Sequence, residues 1–191
     1  MSIDGSIERA HFGSTPRTAE TRLFPPRGQR RPRADIVIQS PLWNAHREVP
    51  RVLSRALAQA AEATATRGGE LAIVLTDNAV ARDLNARWRG KDAATNVLSF
   101  PVRDGAVSRN RPRLLGDIVI AFETCAREAR AQRIAFADHL AHLAVHGFLH
   151  LIGYDHVAAA EARRMEALEA TILRGLGIAN PYVPRRVPAE T

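Results

Sequence analysis

The chain has 191 residues, 46% of them apolar, a formal net charge of +7 and a single cysteine, Cys125. That size and apolar share suit one domain with a buried core; no run of about 18 apolar residues is available to cross a membrane, and the N-terminus lacks the apolar stretch of a secretory signal. One cysteine excludes an internal disulfide partner, so the expectation is a cytoplasmic protein in which Cys125 packs as a small apolar group.

The charge is uneven. Residues 1–33 hold seven Arg against Asp4, Glu8 and Glu20, a net +4, while residues 34–180 carry only +2. With four prolines and no apolar period, residues 1–33 read as a disordered basic tail, an organellar transit peptide being the alternative. From residue 34 a domain is expected to run to 180. DIVIQ (35–39) alternates as a short strand. Val52, Leu53, Ala56, Leu57 and Ala60 recur at helical spacing over 49–67, with Gly68-Gly69 as the stop. ELAIVLT (70–76) is a second strand, after which Asp77 can cap a helix running through Val80, Leu84 and Trp88. RGKDAATN (89–96) is a polar loop, VLSFPV (97–102) a third strand whose Pro101 suits an edge, 103–113 a basic loop and LGDIVIA (115–121) a fourth strand. Helices follow over 122–133, 135–151 and 161–176, then a Pro-rich tail over 181–191. The fold class is therefore α/β (α+β): a compact single domain with a mixed four-stranded sheet, since strands three and four are close enough to pair as a hairpin, and about five helices. A metal site is expected at the end of the buried helix 135–151.

That site is read from HGFLHLIGYDH (146–156). His146 and His150 are i and i+4 on one helix, so their imidazoles share a side. Gly153 can end the helix and return His156 to the open side of the pair. Three imidazoles leave one coordination position open, the arrangement of catalytic rather than structural zinc. His139 and His142 continue the same stripe and are expected to support or line the site, His142 being an alternative fourth ligand; Asp155 either orients a ligand or caps the turn.

The same spacing occurs in zinc proteases, which place a glutamate base directly after the first histidine. Here that position is Gly147. A phosphodiester makes a different demand, positive charge for an anionic transition state, and residues 82–113 supply eight Arg or Lys against three Asp, a net +5. Lys91 is the one lysine among 27 basic residues. Two other readings stand beside a metal-dependent nuclease: a zinc metallopeptidase without the usual base, and a non-catalytic protein (a ribosome-assembly factor, given the resemblance described next) held together by structural zinc.

HGFLHLIGYDH resembles the HGxLHLxGYDH signature of the bacterial YbeY family of rRNA-maturation endoribonucleases. RGKDAATNVLSFPV (89–102) looks like that family's second motif, LLGDIVI (114–120) like its third, and ALEATILRGLGIANPY (167–182) fits its ending; together the resemblance spans 34–182. It implies a zinc-dependent endoribonuclease directed at single-stranded RNA, with one Zn2+ per chain. It implies action on the 3′ end of the 16S rRNA precursor and in ribosome quality control, with the ribosome or its small subunit as partner. By position, His146, His150 and His156 match the metal ligands and Arg89 the family's essential arginine. Lys91, Thr95 and Asn96 of the same motif are expected to contact substrate. Ala94 stands where many members have proline, which leaves the loop less stiff. The nucleophile, hydroxide or the RNA 2′-OH, is left open.

Overall fold

A computed structural model describes residues 21–22, 31–102 and 113–183. Five strands, β1 (Thr21–Arg22), β2 (Arg33–Ile38), β3 (Glu70–Thr76), β4 (Val97–Pro101) and β5 (Leu114–Ala121), form one sheet in the order β1-β2-β3-β5-β4. β2, β3 and β5 run parallel, while β1 and β4 are antiparallel edges. The four expected strands and their mixed pairing are thus present. The addition is β1, two residues from the Arg/Pro-rich segment. Their backbone groups pair with Asp35 and Ile36, a ladder that needs no apolar side-chain pattern and so leaves none in the sequence. Residues 1–20 and 23–30 of the expected tail, the basic loop over 103–112 and residues 184–191 lie outside the described residues, while Arg33, the last tail residue, opens β2.

Five α-helices match the expected number: α1 (Val49–Ala63), α2 (Asn78–Arg89), α3 (Phe122–Ala131), α4 (Phe136–Leu151) and α5 (Ala159–Gly175). Asp77 caps α2 as expected, its Oδ1 accepting from Val80 N at 3.1 Å. α1 stops at Ala63, short of Gly68. The amides of Ala65 and Thr66 bond back to Glu62 and Ala61, with Ala65 left-handed at φ 52°. That is a Schellman stop built without glycine, which is why the glycine pair misplaces the end.

α1 and α4 cover one face of the sheet, and α5 packs outside them; Leu53, Ile73, Ile118, Leu140, Phe148 and Ile172 of this layer are all buried. α2 covers the other face through Leu84, packed near Val74, Leu98 and Val119. Cys125 is buried in the main core, and burial, then the nearby Glu128, push its thiol up to about 12. No helix among the described residues is long and apolar enough to cross a membrane.

α4 is apolar almost all round, as a helix enclosed on several sides should be. From His139 to Leu151 every residue is buried except His142, His146 and His150. The one open stripe of the central helix is therefore a histidine stripe.

Candidate metal centre

The structure brings His146, His150 and His156 together: one nitrogen from each lies within 4.8 Å of the other two. α4 supplies the first pair. The helix ends at Leu151, and Gly153, at φ 97°, bends the chain in a conformation that side chains disfavour. Asp155 Oδ1 accepts from the amide of His156 at 2.7 Å, so of its two expected roles the carboxylate takes the turn cap. His156 thereby faces His150 and His146, with ring centroids at 5.0 and 5.7 Å.

Hydrogen bonds set the tautomers. His150 Nδ1 lies 3.0 Å from the carbonyl oxygen of Tyr154, which can only accept, so Nδ1 carries the proton. His146 Nδ1 lies 2.8 Å from Glu169 Oε1, and a carboxylate likewise only accepts. Both rings then turn Nε2 inward, and these two atoms are 3.1 Å apart. Burial first, then His146 and His156, lower His150 to about 4, so it is neutral at neutral pH and its Nε2 offers a lone pair. The two Nε2 atoms thus face each other across the space between the rings. Nitrogens about 2.0–2.1 Å from a tetrahedral ion are about 3.3 Å apart, so the donor set fits a metal ion.

Glu169, on α5, is the residue that sequence reasoning missed. It is fully buried, yet burial, which alone would raise its pKa, is outweighed by bonds from His142, His146 and Tyr182, and the carboxyl is held down to about 2. Its Oε2 faces His142 Nε2 at 3.2 Å and accepts the hydroxyl of Tyr182. A carboxylate behind a ligand imidazole fixes the ring and raises its basicity. His142 is thereby tied to Glu169 and is not one of the three converging nitrogens. Tyr182, assigned to the tail, folds back over this network, and burial followed by the Glu169 bond raises its pKa. The available signal was positional. Met165, Glu169, Ile172 and Leu173 form the buried side of α5, and a carboxylate on an apolar stripe calls for a buried partner.

His139 is buried and bonded to Glu128 Oε2 at 2.9 Å. Glu128 also accepts from Asn96 Nδ2 at 2.8 Å, while Asn96 Oδ1 accepts from Val97 N at 2.7 Å. Asn96 therefore fastens the start of β4 to α3 and α4; Thr95 beside it is half-buried and Lys91 is exposed. Arg89 ends α2 and is exposed. Its two neighbouring acids are taken: Asp83 pairs with Arg87 at 2.9 Å, and Asp92 with Arg82 at 2.5 Å. No ion pair joins Arg89 to another group among the described residues. Its position relative to the histidines follows from packing. Trp88 stands against Phe100 of β4 at 6.1 Å. The Phe100 carbonyl crowds the Cα of Gly116, on which Leu151 of α4 also closes. The C-terminal ends of α2 and α4 thus meet the same end of edge strand β4, from opposite faces. Arg103, Arg109 and Arg111 of the basic segment lie outside the described residues.

Gly147 faces the sheet. A Cβ there would stand 2.9 Å from Ile118 Cγ2 and 3.2 Å from Ser99 Oγ. The position that would hold a protease base is pressed onto the sheet.

A family model described as "Endoribonuclease YbeY" matches residues 39–177. The chain is 51% identical over 158 residues to a protein named endoribonuclease YbeY from Nitrobacter winogradskyi, covering 80% of this chain and 83% of the relative. It is 47% identical over 190 residues to the protein of that name from Nitrobacter hamburgensis, covering 97% and 98%. A third, from a Bradyrhizobium strain, is 48% identical over 159 residues, covering 81% and 94%.

Proposed function

The chain belongs to the YbeY family of endoribonucleases, and from that premise we propose a zinc-dependent nuclease that cuts single-stranded RNA in maturing the 3′ end of the 16S rRNA precursor. In this reading it works in the cytoplasm, on or beside the ribosomal small subunit. The observation that carries the metal dependence is the pair of inward Nε2 atoms at 3.1 Å, each fixed by an acceptor on its outer nitrogen. His146, His150 and His156 would hold the ion. Imidazole donors suit zinc, and the ion supplies Lewis acidity toward the phosphodiester and activation of water.

The chain's own residues do the rest. Glu169 keeps the His146 ring turned inward, and the Tyr154 carbonyl does the same for His150. Arg89, with no acid to satisfy among the described residues, offers a planar fork to a phosphate and offsets the charge that develops there. Lys91, Thr95 and Asn96 follow the RNA along the loop into β4. The peptidase alternative loses support at Gly147, where no base fits, and the structural-zinc alternative at His142, which is engaged by Glu169 rather than completing a fourth ligand.

The test uses full-length protein purified without added metal. About one zinc per chain should be found. Single-stranded RNA should be cleaved and a peptide library left intact. A chelator should stop cleavage and zinc restore it, and His150→Ala should lose both metal and cleavage while staying folded. Cleavage indifferent to chelation, or cleavage of peptides instead of RNA, refutes the proposal.

A further inference from the structure

We propose that Trp88 is a base-stacking platform for the RNA strand, a subsite beside the metal centre; the inference rests on the nuclease reading above. The chain has two tryptophans, and they are placed in opposite ways. Trp43 is 1% exposed, and its indole N–H donates to the carbonyl of Thr76 at 2.8 Å. Trp88 is 48% exposed. It sits in the last turn of α2, beyond the buried Ala81 and Asn85. Phe100 meets it edge to face, at 6.1 Å and 69°, so one edge is held while much of the ring faces solvent. Packing holds the indole in place without covering it.

Its surroundings say what that surface suits. Trp88 lies in the run Arg87-Trp88-Arg89-Gly90-Lys91. Asp83 and Asp92 are neutralised by Arg87 and Arg82, which leaves the charge of Arg89 and Lys91 uncompensated among the described residues. A flat aromatic surface flanked by unbalanced cations matches a polyanion with aromatic side groups, which is single-stranded nucleic acid. An acidic-protein partner would match the charge but not the ring. The location fits as well, because Trp88 lies at the end of β4 where α4 delivers the histidines. A strand leaving the metal centre over that edge would bring a nearby base onto the indole. Bases stacked inside a duplex cannot be offered this way, so the same contact selects single strands.

The two tryptophans make the test direct. The full chain carrying His150→Ala, which should bind without cutting, is titrated with a single-stranded RNA oligonucleotide while indole emission is followed. Inorganic polyphosphate serves as a charge-only probe, and the anisotropy of labelled RNA reports binding separately. RNA should quench emission and polyphosphate should not. Adding Trp88→Phe should abolish the quench and keep affinity within about threefold. Adding Trp88→Ala should weaken RNA binding by roughly 5- to 150-fold, the range for one stacked base, and narrow the preference for single strand over duplex. Both variants should keep the parent's circular dichroism. Quenching that survives Trp88→Phe, or parent affinity in Trp88→Ala, overturns the inference while leaving the nuclease reading intact. If the parent binds no RNA and the wild type cleaves none, both fall together.

Discussion

Gly147→Glu would install the missing protease base, and the structure forecasts that it fails by breaking the fold. The first atom added is already expensive. A Cβ at 147 lies 2.9 Å from Ile118 Cγ2 and 3.2 Å from both Ile118 Cδ1 and Ser99 Oγ, and Ile118 is fully buried in β5, with little room to yield. Overpacking of this kind costs about 1–3 kcal/mol. Gly147→Ala recovers up to about 1 kcal/mol of helix propensity, so its net cost is roughly 0–2 kcal/mol. Glutamate adds four more heavy atoms, three of them its carboxyl group, between α4 and the sheet. A buried ion without a partner costs several kcal/mol, so the total rises to at least about 4 kcal/mol, comparable with the whole stability of a small domain. Urea unfolding followed by circular dichroism checks both variants. With m of about 2 kcal/mol/M, Gly147→Ala should lower the midpoint by at most about 1 M, whereas Gly147→Glu should be unfolded or hold no metal. A Gly147→Glu protein with wild-type midpoint and bound zinc, cleaving unstructured peptides, would refute the packing argument and revive the peptidase reading.

Three further outcomes are expected. Arg89→Lys keeps the charge but loses the planar fork, so RNA cleavage should fall, and Arg89→Glu should fall further; an exposed residue with no ion pair among the described residues should alter stability by no more than about 0.5 kcal/mol, and zinc content should not change. Glu169→Gln should weaken metal binding by about 10- to 100-fold, measured by competition with a chromogenic chelator. In metal-free protein it should also flatten acid unfolding: the wild-type carboxyl, held to about 2 against an ordinary 4.5, gives stability that is full above about pH 4.5 and is lost as pH falls toward 2. RNA affinity should drop with salt at a log–log slope of about −0.7 per phosphate contacted, and deletion of residues 1–33 should leave most of that slope; its collapse would move the binding charge from the loop to the tail.

What the sequence makes legible is what repeats locally. Strands β2 to β5 show as short β-branched runs between turn residues. The convergence of His146 and His150 follows from helix geometry alone, and the return of His156 follows from a glycine at the right distance. What stays hidden depends on contacts between distant segments. Glu169 acquires its role only when α5 lies along α4, 23 residues from His146 in sequence. β1 is held by backbone pairing, which no side-chain pattern announces. Tyr182 follows a helix end and a proline, features that suggest a tail, and only the buried carboxylate it meets draws it back. The early end of α1 is hidden for another reason: an alanine takes the left-handed position that reads as glycine's.

The absent glutamate and the nuclease chemistry have one cause in α4. Residue 147 is about 100° round the helix from His146 and about 60° from His150, so a side chain there would flank the pair on the side of the sheet. In this fold that direction is occupied by β5, and helix and strand come so close that a side chain as large as glutamate is not accommodated. Charge for the reaction must then arrive from outside the helix. The sheet provides for this through its order, since β4 lies at the edge beyond β5 and joins the end of α2 to the end of α4. An arginine at the α2 terminus suits the proposed role: it would approach a phosphate from the flank and needs no proton exchange to act. A peptide bond asks for a proton carrier at the helix, whereas a phosphodiester asks for fixed positive charge beside the ion. The close contact at Gly147 removes the first and leaves the second, which is the demand that the proposed RNA substrate would make of the basic run at 87–91.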